Sequence, residues 1–490
     1  MNARVALPFA VFLAGCSGHL PWTTIPATAP DRVPVIVPAK FSAPVETGKA
    51  PDRWWAELGD PGLVEVVERA LSDNLGLRQA WARLEQANAV LARTAAGRLP
   101  EVTGEGQASR QRSVFFAGEE LGERQFVSAQ LLGTFAATWE LDLWRRIGAL
   151  RDAADMDREA ARDDLEAIAV SLAGEIAEAW FSLAEQRAQR ELLRGQEETS
   201  DQIRELVDLR FSQGLATAPD VLQQRQQLAS VQALVPSVEA RTAVLEHRLA
   251  VLVAWPPGLG AFPVKPEIPD LVASPATGLP AQLLRRRPDV RAAELRVAAA
   301  DHRVAAAIAD RFPAIRLSGR TGWQGFEAAE IPDNWIWTIA SNAVTPLFDA
   351  GRRRAEVDRS RAALDERLAA YGEAVLRAFE EVESALVQER HQRSHIAALQ
   401  RELELARQAL GEIRHRYAFG VGDYIQVLTA LVSLQQVERA ELTARKQLLS
   451  YRIQLYRALG GSWTRGLEPP AAVDAGPASP LLRWVTLDGS

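Results

Sequence analysis

A chain of 490 residues with a single cysteine has no internal disulfide. It also lacks the motifs that announce common enzyme classes: there is no Walker-A loop, no H-E-x-x-H and no G-x-S-x-G. Excess positive charge is missing too. The net charge is −7 with both signs mixed along the chain, which gives no electrostatic footprint for nucleic acid. The N-terminal apolar run, Val5 to Leu13, is too short to span a bilayer as a helix. His391 and His395 stand four apart on a helical pattern, but Gln392-Arg393-Ser394 between them supplies no glutamate base. Two ligands alone do not make a zinc site, so the pair belongs to a solvent face. The expectation is a protein that is not an enzyme and has no metal or cofactor.

The one cysteine is informative by position. Arg4 precedes the apolar run, and Leu13-Ala14-Gly15-Cys16 follows it. Small residues before a cysteine resemble the lipobox of bacterial lipoproteins. That implies a signal peptide over residues 1–15, cleavage before Cys16, and acylation of its thiol and new amino group. Buried acyl chains hold such an N-terminus firmly, at about 0.8 kcal/mol per CH₂. Ser17 is compatible with sorting to the outer membrane. Residues 16–53 are proline-rich and aperiodic, as an extended segment leading away from the anchor would be.

Beyond that segment the chain says nearly the same thing twice. Arg210-Phe211-Ser212-Gln213-Gly214 with Asp220-Val221-Leu222 reappears 206 residues later as Arg416-Tyr417-Ala418-Phe419-Gly420 with Gln426-Val427-Leu428. Asp142-Leu143-Trp144-Arg145 is answered 207 residues later by Asp349-Ala350-Gly351-Arg352. So long an offset is a duplicated half-molecule rather than a solenoid unit. The halves are expected at 54–254 and 279–460, joined by a proline-rich linker at 255–278 and followed by a tail at 461–490.

Each half opens with helix. Asp60-Pro61 predicts an N-cap with proline at the first helical position, and a helix from there to about Arg98. In the second half a helix is predicted from Leu279 to about Arg311, with Arg285-Arg286-Arg287-Pro288 as a structural helix entry rather than a phosphate site. The period then switches to two. Leu131, Gly133, Phe135, Ala137, Trp139 and Leu141 alternate with mostly polar residues, and Ile315, Leu317, Gly319, Thr321 and Trp323 repeat the pattern. Trp335, Trp337 and Ile339 open a fourth strand. Hairpins are therefore expected at about 101–141 and 314–345, with lengths and tryptophans suited to a transmembrane barrel. A soluble sheet with one wet face would alternate in the same way. Very long helices follow, at about 145–212 and 352–419. In the second, Ile396, Leu399, Leu403, Ala406, Leu410, Ile413 and Tyr417 form a heptad seam. Gly214 and Gly420 close these helices, and shorter helices return at about 219–253 and 424–459.

Four strands cannot close a barrel, and open edges in lipid leave backbone groups unpaired at several kcal/mol each. Two copies give eight strands and little lumen; three give twelve, and a lumen that suits the polar face. The fold expected is mixed but mostly α: a trimeric twelve-strand transmembrane β-barrel continuous with a long periplasmic α-helical coiled-coil barrel.

Several segments carry a family resemblance. Leu279-Pro280-Ala281-Gln282-Leu283-Leu284-Arg285-Arg286-Arg287-Pro288-Asp289-Val290 resembles the LPxxLLxRRPD segment of TolC-like outer-membrane efflux lipoproteins. Trp139-Glu140-Leu141-Asp142-Leu143-Trp144 and Pro346-Leu347-Phe348-Asp349-Ala350-Gly351-Arg352 resemble that family's strand-to-helix junctions. Phe379-Glu380-Glu381-Val382-Glu383 extends the match. The resemblance covers about residues 54–460. It implies a homotrimer in the outer membrane that reaches into the periplasm. Such a trimer is the exit duct of a tripartite pump for small toxic compounds, with a periplasmic adaptor and an inner-membrane RND-type transporter as partners and membrane lipid around the barrel.

The resemblance also implies a periplasmic gate at the helix-hairpin tips. Tyr417 stands at a family gate position, and Asp220 matches an acidic one. The second half departs from the family: Gln426 and Thr429 replace frequent aspartates, and Val432 an arginine. Closure is then expected to rest on Tyr417 donating to the Asp220 carboxylate, with neutral contacts from Gln426 and Thr429. Packing and capping are the plainer roles for Tyr417 and Asp220. A type I protein-secretion duct would share this fold, whereas a coiled-coil lipoprotein that transports nothing would need no amphipathic hairpins.

Overall fold

The computed structural model describes residues 38, 41, 52–116, 123–258, 262, 268–271, 275, 280–327 and 333–469. The signal peptide, Cys16, most of the segment 16–53, part of the linker and the tail beyond residue 469 lie outside the described residues. Eight helices and four strands appear among those described: α1 (Pro61–Asp73), α2 (Leu75–Ala96), β1 (Glu101–Phe116), β2 (Glu123–Leu141), α3 (Arg146–Ser212), α4 (Ala218–Leu252), α5 (Pro280–Arg286), α6 (Pro288–Ala309), β3 (Ala314–Gly325), β4 (Trp335–Val344), α7 (Arg352–Ala418) and α8 (Tyr424–Leu459).

Two of the expected helices are broken. Asn74 divides α1 from α2: its side chain accepts from Leu77 N at 2.9 Å and donates to the Leu252 carbonyl at 2.8 Å, so it starts a new helix. Pro288 divides α5 from α6, because it has no N–H to offer and disfavours the helical region for the residue before it. The predicted cap at Asp60 is present, with Oδ1 accepting from Gly62 N and Leu63 N at 2.9 and 3.2 Å.

The chain divides into two compact units. One comprises the described residues of Arg83–Arg162 and Ala292–Glu373, and contains the whole sheet. Its strands run antiparallel in the order β1-β2-β3-β4. The register brings the two predicted alternations onto the same face: Gly133 pairs with Trp323, Phe135 with Thr321, Trp139 with Leu317, and Thr321 in turn with Trp337. Phe135, Trp337 and Ile339 are more than half exposed on it. The opposite face is polar and carries ion pairs, Arg320 with Glu105 at 3.3 Å and Arg316 with Glu140 at 3.1 Å. Gly322 lies against β2 so closely that a Cβ there would sit 2.1 Å from the Gly133 carbonyl oxygen. Only glycine fits that approach.

Each hairpin hands over to its long helix through an aspartate. The Asp142 oxygens accept from Ile147 N and Gly148 N at 2.9 and 2.6 Å, and those of Asp349 from Gly351 N and Arg353 N at 3.1 and 3.3 Å. Arg145, Ala350 and Gly351 take positive φ to make the turns. Trp144 stacks on Phe312 and donates its indole N–H to the Pro313 carbonyl at 2.7 Å, which ties the first junction to the start of β3. Arg146 reaches back to Glu140 at 2.6 Å. The aspartate that repeats at the two junctions thus holds the start of the long helix at both.

The other unit comprises the described residues of Val35–Ala82, Asp163–Arg291 and Ala374–Ser490. Gly214 and Gly420, at φ +73° and +81°, close the long helices as C′ residues. All seven heptad positions of α7 are buried or half-buried. Arg287 is buried at the α5–α6 break. It grips Asp289 through two nitrogens at 3.0 and 2.6 Å and also pairs with Glu381. That is a structural helix entry. Arg291 binds Asp163 and Glu166, the latter of which also accepts from Thr464 at 2.9 Å. Residues near both ends of the described chain meet on α8: Trp54 stacks on Tyr456 at 5.2 Å, Trp55 meets Trp463 edge-on at 4.8 Å, and Ser462 donates to Asp52. Within the expected tail, Trp463–Gly466 is therefore an ordered turn.

Candidate functional site

The candidate gate lies where the tips of the two helical hairpins meet. An apolar cluster holds them together, with Ile203 and Val207 from α3, Val221 from α4, Leu410 and Tyr417 from α7, and Tyr424, Val427 and Leu431 from α8. The heptad pattern of α7 carries Tyr417 into this cluster, where it is 3% exposed. Its partner is Arg210, in the last turn of α3. The guanidinium lies over the tyrosine ring at 4.4 Å from the centroid, and Nη1 donates to the Tyr417 carbonyl at 2.7 Å. A cation over an aromatic face contributes about 0.5–2 kcal/mol, the more so when shielded from water.

The Tyr417–Asp220 hydrogen bond expected from the sequence is not made within the chain. Asp220 is the third residue of α4, close enough to its own helix start to accept from Thr217 N at 2.8 Å. It is a cap, which satisfies an N–H that the helix start leaves free. The Tyr417 hydroxyl is buried and makes no hydrogen bond among the described residues. Burial raises its pKa, against the lowering pull of Arg210 and with a further rise from Asp220.

Tyr424 takes the polar role instead. Its hydroxyl donates to Gln224 Oε1 at 2.9 Å, and Gln224 Nε2 donates to the Ser200 carbonyl at 2.6 Å, so one buried chain of bonds links α8, α4 and α3. Burial pushes the Tyr424 hydroxyl well above the ordinary tyrosine range, and Asp220 adds to the rise. Gln426 and Thr429 are exposed on the first two turns of α8. Thr429 bonds only its own helix, at the Ile425 carbonyl, 2.8 Å away. Neither joins Tyr417 within the chain. His391 and His395 are exposed on α7.

Arg210, Tyr424 and Gln224 escaped the sequence reading. A signal was present in the unequal halves. Where the second half carries Tyr417 and Tyr424, the positions 206 residues earlier hold Phe211 and Ala218. A duplicated fold that breaks its own symmetry at a tip marks the place where the halves do different work.

The model of the outer membrane efflux protein family matches residues 66–254 and 279–461. The pyoverdine export outer membrane protein OpmQ of Pseudomonas aeruginosa is 31% identical over 417 residues, 84% of this chain and 87% of that one. OpmQ of Pseudomonas putida is 29% identical over 465 residues, 93% of this chain and 97% of that one. Among solved structures, the outer-membrane channel OprN superposes with a TM-score of 0.83 at 31% identity, covering 88% of this chain and 98% of that one.

Proposed function

The chain belongs to the outer membrane efflux protein family, and we propose that three copies of it form the exit duct of a tripartite pump, continuing a periplasmic adaptor and an inner-membrane RND-type transporter. It is an outer-membrane efflux protein, of a family of channels rather than enzymes. The four-stranded sheet carries the proposal: one face is apolar and tryptophan-rich, the other is polar, and among the described residues β1 and β4 each pair on one side only. In lipid such edges must be covered, and copies of the same sheet cover them when β4 of one copy pairs with β1 of the next. Three copies make a twelve-strand barrel whose polar face lines water. The cargo is a small compound, as the name pyoverdine export suggests for the OpmQ relatives. Native mass spectrometry in detergent is expected to find three chains; a stable monomer retaining its strands would overturn the assembly.

At the periplasmic end we assign the gate to Tyr417, with Arg210 clamping it, and with Asp220, Gln426 and Thr429 around the mouth. The exposed Gln426 and Thr429 are the groups placed to meet a neighbouring copy, whereas the Tyr417 hydroxyl is buried within the chain. Arg210→Ala is expected to raise the single-channel conductance of the purified trimer in a planar bilayer. Tyr417→Phe should raise it less, because the ring still supports the cation. If a folded Arg210→Ala/Tyr417→Phe trimer conducts as the wild type does, these residues only pack the tip.

Lipidation of Cys16 completes the proposal. Mass spectrometry of the mature N-terminus should find an acylated cysteine, and an unmodified Cys16 would exclude the anchor. Cys16→Ser should impair processing yet leave barrel insertion possible, since burial of the barrel does not depend on the anchor.

A further inference from the structure

The face of α3 that meets α8 is polar over much of its length. Glu178, Glu185, Gln189, Gln196 and Ser200 are spaced 7, 4, 7 and 4 residues apart, the rhythm of a coiled-coil seam, where apolar side chains are the rule. Their partners descend α8 in antiparallel order. Lys446 and Ser450 bond Glu178, and Thr443 bonds Glu185 and Gln189. At the centre, Gln196 Nε2 donates to the Gln435 carbonyl at 3.1 Å and Gln435 Nε2 donates to the Gln196 carbonyl at 3.3 Å. Both residues are at least 96% buried. Their remaining polar atoms are occupied as well: Gln435 Nε2 also bonds Ser200 Oγ at 3.0 Å, Gln435 Oε1 accepts from Gln227 at 2.8 Å, and Gln196 Oε1 accepts from Arg439 at 2.6 Å.

We propose that this reciprocal Gln196–Gln435 pair is the pin that sets the axial register between the two helical hairpins, one from each half of the duplicated chain. Bonds between particular side chains hold at one offset only, and three of them fix this one: Gln435 Nε2 to Ser200 Oγ, Gln227 Nε2 to Gln435 Oε1 and Arg439 Nη1 to Gln196 Oε1. Sliding the hairpins by one helical turn, about 5 Å, would leave two buried amides and their partners unpaired. The apolar tip cluster below the pair has no such preference, because hydrophobic contact is not directional. Polar residues at seam positions commonly specify register at some cost in stability. Here the register places Arg210 over Tyr417 and Gln224 beneath Tyr424, so Gln196 and Gln435 act as positioning residues for the tip.

The test replaces both glutamines by methionine, which has similar length and no donor. Nitroxides on the exposed turn residues, as Gln213→Cys and Val421→Cys in a Cys16→Ser background diluted with unlabelled chains, report the offset between the hairpins. In the parent protein one narrow distance distribution is expected. In Gln196→Met/Gln435→Met the distribution should broaden or gain a second peak shifted by about one turn, 5 Å, while the melting temperature holds or rises. A distribution as narrow as the parent's, whatever the melting temperature does, overturns the proposal and leaves the pair as packing alone. Should the double variant fail to fold, Gln435→Met alone is read in the same way: intermediate broadening supports the pin, and an unchanged distribution overturns it. The inference concerns the packing of the hairpins and does not depend on the gate, so its failure would leave the conductance predictions standing.

Discussion

Arg452→Met is expected to destabilise the helical unit by about 3–5 kcal/mol, the usual cost of removing one partner of a buried ion pair. Arg452 on α8 grips Glu389 on α7 through two nitrogens, at 3.0 and 2.6 Å, and both side chains are at least 96% buried. Removing the arginine leaves a buried carboxylate beside Arg393, which is itself partly exposed. It also removes the cation lying 5.9 Å from the Tyr456 ring, which stacks on Trp54. The damage should therefore spread to the N-terminal turn. Replacing both partners, Arg452→Met with Glu389→Leu, is expected to recover most of the loss, since an apolar pair strands no charge. Urea unfolding followed by helical circular dichroism checks this cycle. If the single and double variants unfold alike, the pair is not what holds α7 to α8 there.

The second large effect is expected at the sheet. Trp337 is 62% exposed on the apolar face, paired with Thr321 and flanked by Trp335 and Ile339. With that face toward lipid, Trp337→Arg puts a charge into hydrocarbon at about 2–4 kcal/mol near the midplane and less at the interface. In the proposed trimer the cost is incurred three times. The variant should lower the urea midpoint of the detergent-solubilised trimer. Thr338→Glu, which puts a charge on the polar face opposite Arg320, should change it little. Equal effects at the two neighbours would mean the sheet is not oriented by lipid.

The sheet was legible because alternation is local. A period of two in 131–141 and again in 315–323 states which residues share a face, and the register then places both runs on one surface. The heptad of α7 was legible for the same reason. The face of α3 that meets α8 was not, because it packs there with glutamine and glutamate, and a hydrophobic pattern is blind to a polar seam. Asp220 shows the same limit in the gate. Its residue type and its place beside a turn fit either a gate carboxylate or a cap. The 2.8 Å bond to Thr217 N, set by the backbone at the start of α4, makes it a cap within the chain.

The sequence by itself determined the duplication, the places where strand gives way to helix, the faces of the strands, the glycines at the turns and the family. All of these are patterns over a few residues or a constant offset along the chain, and need no knowledge of distance. The tertiary structure alone decided which polar groups meet: Arg210 over Tyr417, Tyr424 with Gln224, and Gln196 exchanging bonds with Gln435. It also decided that only glycine fits at 322, against the Gly133 carbonyl. These partners stand about 190 to 240 residues apart. A hydrogen bond or a steric contact is fixed to a few tenths of an ångström, and that precision exists only once the packed backbones have set the distance.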